Sequence, residues 1–183
     1  LSLDGNDVMG IVEIPKISVS LPVYHGTSKE VLEKGVGHLN GSSLPVGGRD
    51  THSVLTGHTG LTNAKLFTDL TELEEGDVFH VEVLGMKMAY RVCAIYVVDP
   101  EDTEKLRVIS GEDLCTLVTC TPYGVNSHRL LVRGTRTKYK EDAGGTTRKI
   151  NPFKSLWMRS YAIAVAIGLS IVFLIFMASK AVK

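Results

Sequence analysis

Residues 116–136 read TLVTCTPYGVNSHRLLVRGTR. Two apolar runs flank a turn-rich centre. Leu114 to Cys120 reads as a strand, and His128 to Arg133 reads as its return. Between them, Pro122 has no N–H to give a ladder, and Gly124 and Asn126 tolerate turn geometry. A seven-residue loop from Thr121 to Ser127 between antiparallel strands brings Cys120 and Arg129 to the same end of a sheet, although nine positions separate them. A fixed cation beside a thiol favours the reactive thiolate. Arg133 lies on the same strand face two pleats farther away, so Arg129 is the better candidate.

A cysteine nucleophile also needs a proton acceptor or an imidazolium partner. Six histidines compete: His25, His38, His52, His58, His80 and His128. His58 stands in LTGHTGL, at the end of an apolar strand and flanked by glycines, where loops present side chains from a rigid scaffold. His80 alternates within a strand and reads as structural or solvent-facing. His128 adjoins Arg129 but points to the other strand face, and His25, His38 and His52 have no comparable context. Spacing alone leaves a second reading open, because a cysteine at a strand end is often a small buried hydrophobe. Cys115, five positions before Cys120, points to the opposite face of a regular strand. Both it and Cys93, within YRVCAIYVV, read as buried structural thiols.

Working outward, residues 8–136 are mostly short strands with punctuation. Ile11 to Ile14, residues 18–24, residues 52–58 and Met86 to Val98 all fit. In DVFHVEVLG, Phe79, Val81 and Val83 take one face and Val78, His80 and Glu82 the other. A Gly-Met-Lys turn is expected between that strand and the next. Helical signals are short. TSKEVLEKGVGHL starts with Thr27 as a cap and Glu30 three positions on, a capping-box spacing. AKLFTDLTEL offers one more helical turn. No βαβ alternation and no internal repeat is legible, so the globular part is mainly β, a barrel or a sandwich.

The 183 residues suit one domain with appendages, and a formal charge of zero sets up no global field for nucleic acid. The three cysteines have spacings of 22 and 5, which fit neither a zinc site nor a CxxC redox motif. No metal or organic cofactor is signalled. The chain starts at Leu1, which reads as a fragment whose own N-terminus is missing. Tyr161 to Ser179, YAIAVAIGLSIVFLIFMAS, carries no charge over 19 residues. It would reach roughly 28 Å, close to the thickness of a bilayer core. Arg159 and Lys180 bracket it, and Trp157 and Tyr161 suit the interface. The expected organisation is therefore an N-terminal remnant over 1–8, a barrel over 9–137, a polar linker over 138–158, a transmembrane helix over 159–180 and a short tail over 181–183. Counting Arg148, Lys149, Lys154 and Arg159 against Lys180 and Lys183 would put the globular part on the cytoplasmic side.

TLVTC at 116–120, TGH at 56–58 and HRLLVRG at 128–134 together resemble the sortases, membrane-anchored cysteine transpeptidases of Gram-positive bacteria. The likeness runs from MGIVEIPKI at 9–17 through residues 21–48 to Arg136. TCTPYGVNSHRLLVRG followed by a C-terminal membrane helix is most similar to class C, the pilin-polymerising sortases. The resemblance implies a closed eight-stranded β-barrel with short helices. It implies Cys120 as nucleophile, His58 as general acid/base and Arg129 as the cation that steadies thiolate or oxyanion. The implied substrate is a pilin subunit bearing an LPxTG-type sorting signal, cleaved between Thr and Gly. The implied acceptor is a lysine amine of another pilin. Membrane lipid is the other partner, and the barrel is then extracellular, against the charge count. An acceptor amine on a peptidoglycan precursor is the alternative within the same chemistry, and a hydrolytic cysteine protease would let water take the acyl group. A non-catalytic membrane-tethered barrel is the alternative of another class. LSLDGNDV, before Met9, has no match to the acidic-Pro-aromatic lid motif common in class C, nor to an N-terminal membrane segment; truncation at Leu1 accounts for both.

Overall fold

The computed structural model describes residues 8–60 and 65–139. Eight strands close into a barrel in the order β1-β2-β3-β4-β7-β8-β6-β5. They are β1 (Val8–Ile14), β2 (Val19–His25), β3 (Val36–His38), β4 (Thr51–Thr56), β5 (Val78–Val83), β6 (Met86–Val98), β7 (Asp113–Thr121) and β8 (His128–Thr137). Neighbours are antiparallel except β2/β3 and β4/β7, which are parallel. The one α-helix among the described residues, α1 (Lys29–Lys34), and three short 3-10 turns complete the elements. Closure removes every unpaired sheet edge, which an open sheet would have to cover. Among the described residues no helix is long and apolar enough to cross a membrane. The transmembrane segment expected at 159–180 lies outside the described residues, as does the linker from residue 140 onward.

Strand alternation divides the barrel wall into two faces. Inward residues make the main core: Val12, Ile14, Val23, Leu55, Phe79, Val81, Val83, Tyr90, Cys115, Leu117, Leu130 and Val132 among others. The alternation read in 77–83 is the one observed. Gly134 on β8 leaves room for the stacked rings of Phe79 and Tyr90, since a Cβ there would lie 2.7 Å from Phe79. Outward residues of β4, β7 and β8 form a second, smaller apolar cluster. Val54, Val118 and Leu131 pack there with Leu39, Tyr96, Val98 and Leu106. Leu106 belongs to the connection between β6 and β7, so that connection lies on the outer wall.

Several local readings change. The helix cap is Ser28, not Thr27: its hydroxyl accepts from Val31 N–H at 3.4 Å. The helix then ends at Gly35, and Val36–His38 turn back as a strand parallel to β2. This makes one local βαβ unit that alternation in the sequence did not suggest, because three residues are too few to show a period. The β5–β6 reversal uses Leu84 and Gly85, both at positive φ, and Val83 pairs directly with Met86. That two-residue turn replaces the expected Gly-Met-Lys. Cys93 is exposed rather than buried. The β6/β8 register shifts between Val92 and Ala94, and Cys93 falls in that bulge with its Sγ donating to the Arg133 carbonyl at 3.4 Å. Cys115 is buried in the core as expected.

Candidate active site

Cys120 and Arg129 are register partners across β7 and β8, next to the loop that joins the two strands. Directly opposed residues on an antiparallel pair face the same side with Cβ atoms about 5 Å apart. The side they face is the outer one, since Val118 and Leu131, two residues away on each strand, lie in the outer cluster. Cys120 and Arg129 are both half-buried. The connecting loop is 122–127, with Asn126 at φ 59° and Gly124 at φ 77°, in the positions the sequence marks as turn-tolerant.

His58 arrives from another element. β4 and β7 are parallel with a constant offset: Thr51 pairs with Asp113 and Thr56 with Val118, a difference of 62 in both. His58 plus 62 is Cys120. Gly57 N–H continues the pairing beyond the strand end, donating to the Val118 carbonyl at 3.0 Å. The Gly57 carbonyl in turn accepts from the Thr119 hydroxyl at 2.8 Å. His58 thus stands level with Cys120 on the adjacent strand, and adjacent strands are about 4.8 Å apart. Its carbonyl accepts from Phe67 N–H at 3.1 Å, which ties the loop back to the core. The phenyl ring of Phe67 sits where Gly57 has no side chain: a Cβ there would meet the ring at 2.8 Å. The register thus sets Cys120 opposite Arg129, and the β4/β7 offset carries the backbone of the His58 loop to the same end of the barrel. Among the described residues no hydrogen bond joins the His58 ring to the Cys120 thiol.

The Arg129 guanidinium is aimed by its own loop. Nη1 donates to the Asn126 carbonyl at 3.2 Å and to the His128 carbonyl at 3.1 Å. Both bonds use one nitrogen, so Nη2 and Nε keep their donors for another group. Arg133 does something different. Its Nη2 donates to the Tyr96 hydroxyl at 2.7 Å and its guanidinium lies over that ring, away from Cys120. His128 is turned to Ser127, 2.8 Å away, and to Asp99, 3.6 Å away. His25 and His38 pair with each other at 3.3 Å on β2 and β3. His80 is buried with its ring edge-on to Tyr139. One contact at the site was not read from the sequence. Gly60, at φ +75°, lets the Tyr123 ring lie 3.0 Å from where its Cβ would be, so the loop after β4 and the β7–β8 loop touch across that glycine. The motif spacing gave no signal for it, because the two residues are far apart in the chain. Among the described residues no group of three or more metal-ligating side chains converges.

The sortase domain model matches residues 12–137, the whole barrel apart from the start of β1. The chain belongs to the sortase family. Sortase D of Bacillus subtilis is 33% identical over 130 residues, 69% of this chain and 63% of that protein. The chain spans less than two thirds of the length of the curated relatives it matches. Solved class C structures are nearer. Sortase C-1 of Actinomyces oris is 58% identical with a TM-score of 0.73, covering 75% of this chain and 78% of its own. Sortase C of Streptococcus pneumoniae, whose structure was described as bearing on catalysis and pilin substrate specificity, is 50% identical with a TM-score of 0.73 over 76% of this chain and 73% of its own. At that identity the class C sortases are this barrel's relatives in sequence as well as in fold.

Proposed function

We propose that this sortase is a pilin-polymerising cysteine transpeptidase. It cleaves an LPxTG-type sorting signal between Thr and Gly and transfers the acyl group to a lysine amine of another pilin subunit. One observation supports the reading above all: Cys120 and Arg129 are register partners at the open end of the outer face, on which His58 falls level with Cys120 by the β4/β7 offset.

The chemistry follows from those three side chains. Cys120 Sγ as thiolate attacks the Thr carbonyl carbon, and the carbonyl oxygen takes the negative charge. Arg129 donates to that oxygen through the nitrogens its loop does not use. The C–N bond to Gly breaks as His58, as imidazolium, gives its proton to the leaving amine. A thioester remains on Cys120. The lysine amine attacks it, His58 accepts the amine proton, and the thiolate leaves as the isopeptide bond forms. No nucleotide is consumed, because the acyl group stays activated as a thioester. A positive charge beside a cysteine favours its thiolate, the form that attacks. Residues 159–180 would hold the barrel at the outer membrane face through the 138–158 linker.

The test is incubation of the full chain with a peptide bearing the sorting motif, then mass spectrometry. A thioacyl adduct on Cys120 and an isopeptide crosslink to an added pilin lysine are expected. Release of the free acid alone would mark a hydrolase, and transfer only to a peptidoglycan-type amine would mark a cell-wall anchoring enzyme.

A further inference from the structure

His52 is 1% exposed, on the outer face of β4, and both of its ring nitrogens are engaged. Nδ1 lies 2.9 Å from the Arg107 carbonyl and Nε2 lies 2.7 Å from the Thr116 hydroxyl. A carbonyl can only accept, so Nδ1 carries the proton. Nε2 is then bare and accepts from the Thr116 hydroxyl. The two bonds select one neutral tautomer. Burial holds the ring below the usual imidazole range; the Arg107 carbonyl opposes this and the Arg133 charge adds to it.

Arg107 is not a barrel residue. It belongs to the connection over 99–112, which packs on the outer face. Leu106 seats in the cluster with Val54, Val118 and Leu131. Val118 and Leu131 are each two residues, about 7 Å, from Cys120 and Arg129 along their strands. Lys105 lies 5.8 Å over the Tyr96 ring, and Asp50 accepts from Gly111 N–H at 2.6 Å at the far end of the connection. A peptide whose Thr carbonyl reaches Cys120 on this face extends roughly 10 Å over the three residues before it. It must therefore run beside what stands on the outer wall, where Leu39 of the β3–β4 connection packs together with Leu106 of the 99–112 connection. The His52–Arg107 bond is the side-chain tie at its middle.

We propose that His52 is a positioning residue: through its Nδ1–H bond to the Arg107 carbonyl it fixes the 99–112 connection as one wall of the substrate groove. The role rests on the transpeptidase reading and adds to it a residue that touches no reacting atom. It sets how well substrate is held, and leaves the thiol chemistry to the groups at the strand ends.

Two isosteres separate the two bonds. His52→Asn places an amide N–H where Nδ1–H was and loses the Thr116 contact. His52→Gln reaches Thr116 and loses the Arg107 carbonyl. With a sorting-motif peptide and the full chain, His52→Gln is expected to raise KM about tenfold with kcat within threefold. His52→Asn is expected to keep KM within threefold of the wild type. The rate of Cys120 alkylation should be the same in all three. Hydrogen exchange over residues 104–108 should speed up in His52→Gln and not in His52→Asn. Equal KM and equal exchange in the two variants would overturn the proposal, as would slowed Cys120 alkylation in His52→Gln alone. Thr116→Val guards against a variant that fails to fold. It keeps the Arg107 bond, so a tenfold rise in its KM would also overturn the role. If the wild type forms no thioacyl adduct, the transpeptidase reading fails on its own, and the hydrogen-exchange pair still decides whether His52 holds the connection.

Discussion

Cys115 and Cys120 are the same side chain on the same strand, five residues apart, and the barrel treats them as different chemistries. Cys115 is inward on β7, fully buried among Leu117, Leu130 and Val132, and burial pushes its thiol up to about 12, against a weaker opposing bond from Ser53. Cys120 is outward, half-buried and opposite Arg129. An odd separation puts the two on opposite faces. Parity chooses core or groove, and distance from the strand end chooses middle or rim. For Cys120 both choices agree: it stands outward at the strand end, opposite Arg129 of β8 and beside the loop that carries His58 beyond β4.

The largest expected effect breaks the comparison outright. Cys120→Ala abolishes the thioacyl adduct, while Cys115→Ala leaves it and instead lowers unfolding stability by about 0.5–1.5 kcal/mol, the range for removing one buried methyl-sized group. Alkylation in a Cys93→Ser background checks the same contrast without touching either residue. Cys120 should react in the native protein at pH 8, and Cys115 only after unfolding. With a thiol near 12, about one Cys115 in ten thousand is ionised at that pH. Native labelling of both at similar rates would end the distinction.

Next in size is Arg129→Ala. Loss of one donor to a developing oxyanion lowers kcat by about a hundredfold or more. The circular dichroism spectrum and unfolding midpoint should hold, because among the described residues the Arg129 side chain bonds only to the nearby Asn126 and His128 carbonyls. Unchanged transpeptidation in this variant would leave Cys120 without a cation and reduce the strand-end argument to its histidine.

Much of this contrast is legible in the chain, and the reasons differ by element. The β7–β8 hairpin is local, with Pro122, Gly124 and Asn126 marking its turn, so the Cys120–Arg129 meeting follows from spacing. The Phe79–Val81–Val83 alternation likewise needs only neighbours. The β4/β7 pair is parallel across 62 residues, and no local pattern sets its register. His58 stands out in the sequence by its glycine-flanked loop, while its level with Cys120 follows only from the parallel β4/β7 register. His52 and His38 carry no signal in the sequence because their partners, the Arg107 carbonyl and the residues around Ser43, come from connections without a periodic signature. The apolar neighbours of Cys93 suggest burial, yet it is exposed, because a bulge is one extra residue that alternation cannot announce.

Cys115 sharpens the comparison at alkaline pH. Its folded thiol near 12 stays protonated where an unfolded thiol, at 9.0, ionises. The unfolded chain therefore binds fewer protons above pH 9, and stability falls there by up to about 1.4 kcal/mol per pH unit. The loss should shrink in Cys115→Ala, the remainder coming in part from the Tyr90 phenol, which burial also pushes up. Urea midpoints at pH 8.5 and 10.5, in reductant, measure it, and an equal loss in both proteins would assign the alkaline instability elsewhere.

The smallest effect lies on the acid side and tests whether the buried histidines obey the same rule. His38 and His52 are both held below the ordinary 6.5 by burial. In the folded barrel they stay neutral as the pH drops through that value, while their unfolded counterparts take up protons. The unfolded state then binds more protons, so the stability present above 6.5 is lost as the pH falls below it. For His38 a second charge is unwelcome beside His25, 3.3 Å away. The expected result is a lower urea midpoint at pH 5.5 than at pH 7.5, with a smaller drop in His52→Asn, which has no ring to protonate. A drop of the same size in that variant would mean that His52 takes up its proton in the folded state as readily as in the unfolded one. Burial would then govern the inward thiol of β7 without governing the imidazole on the outer face of β4.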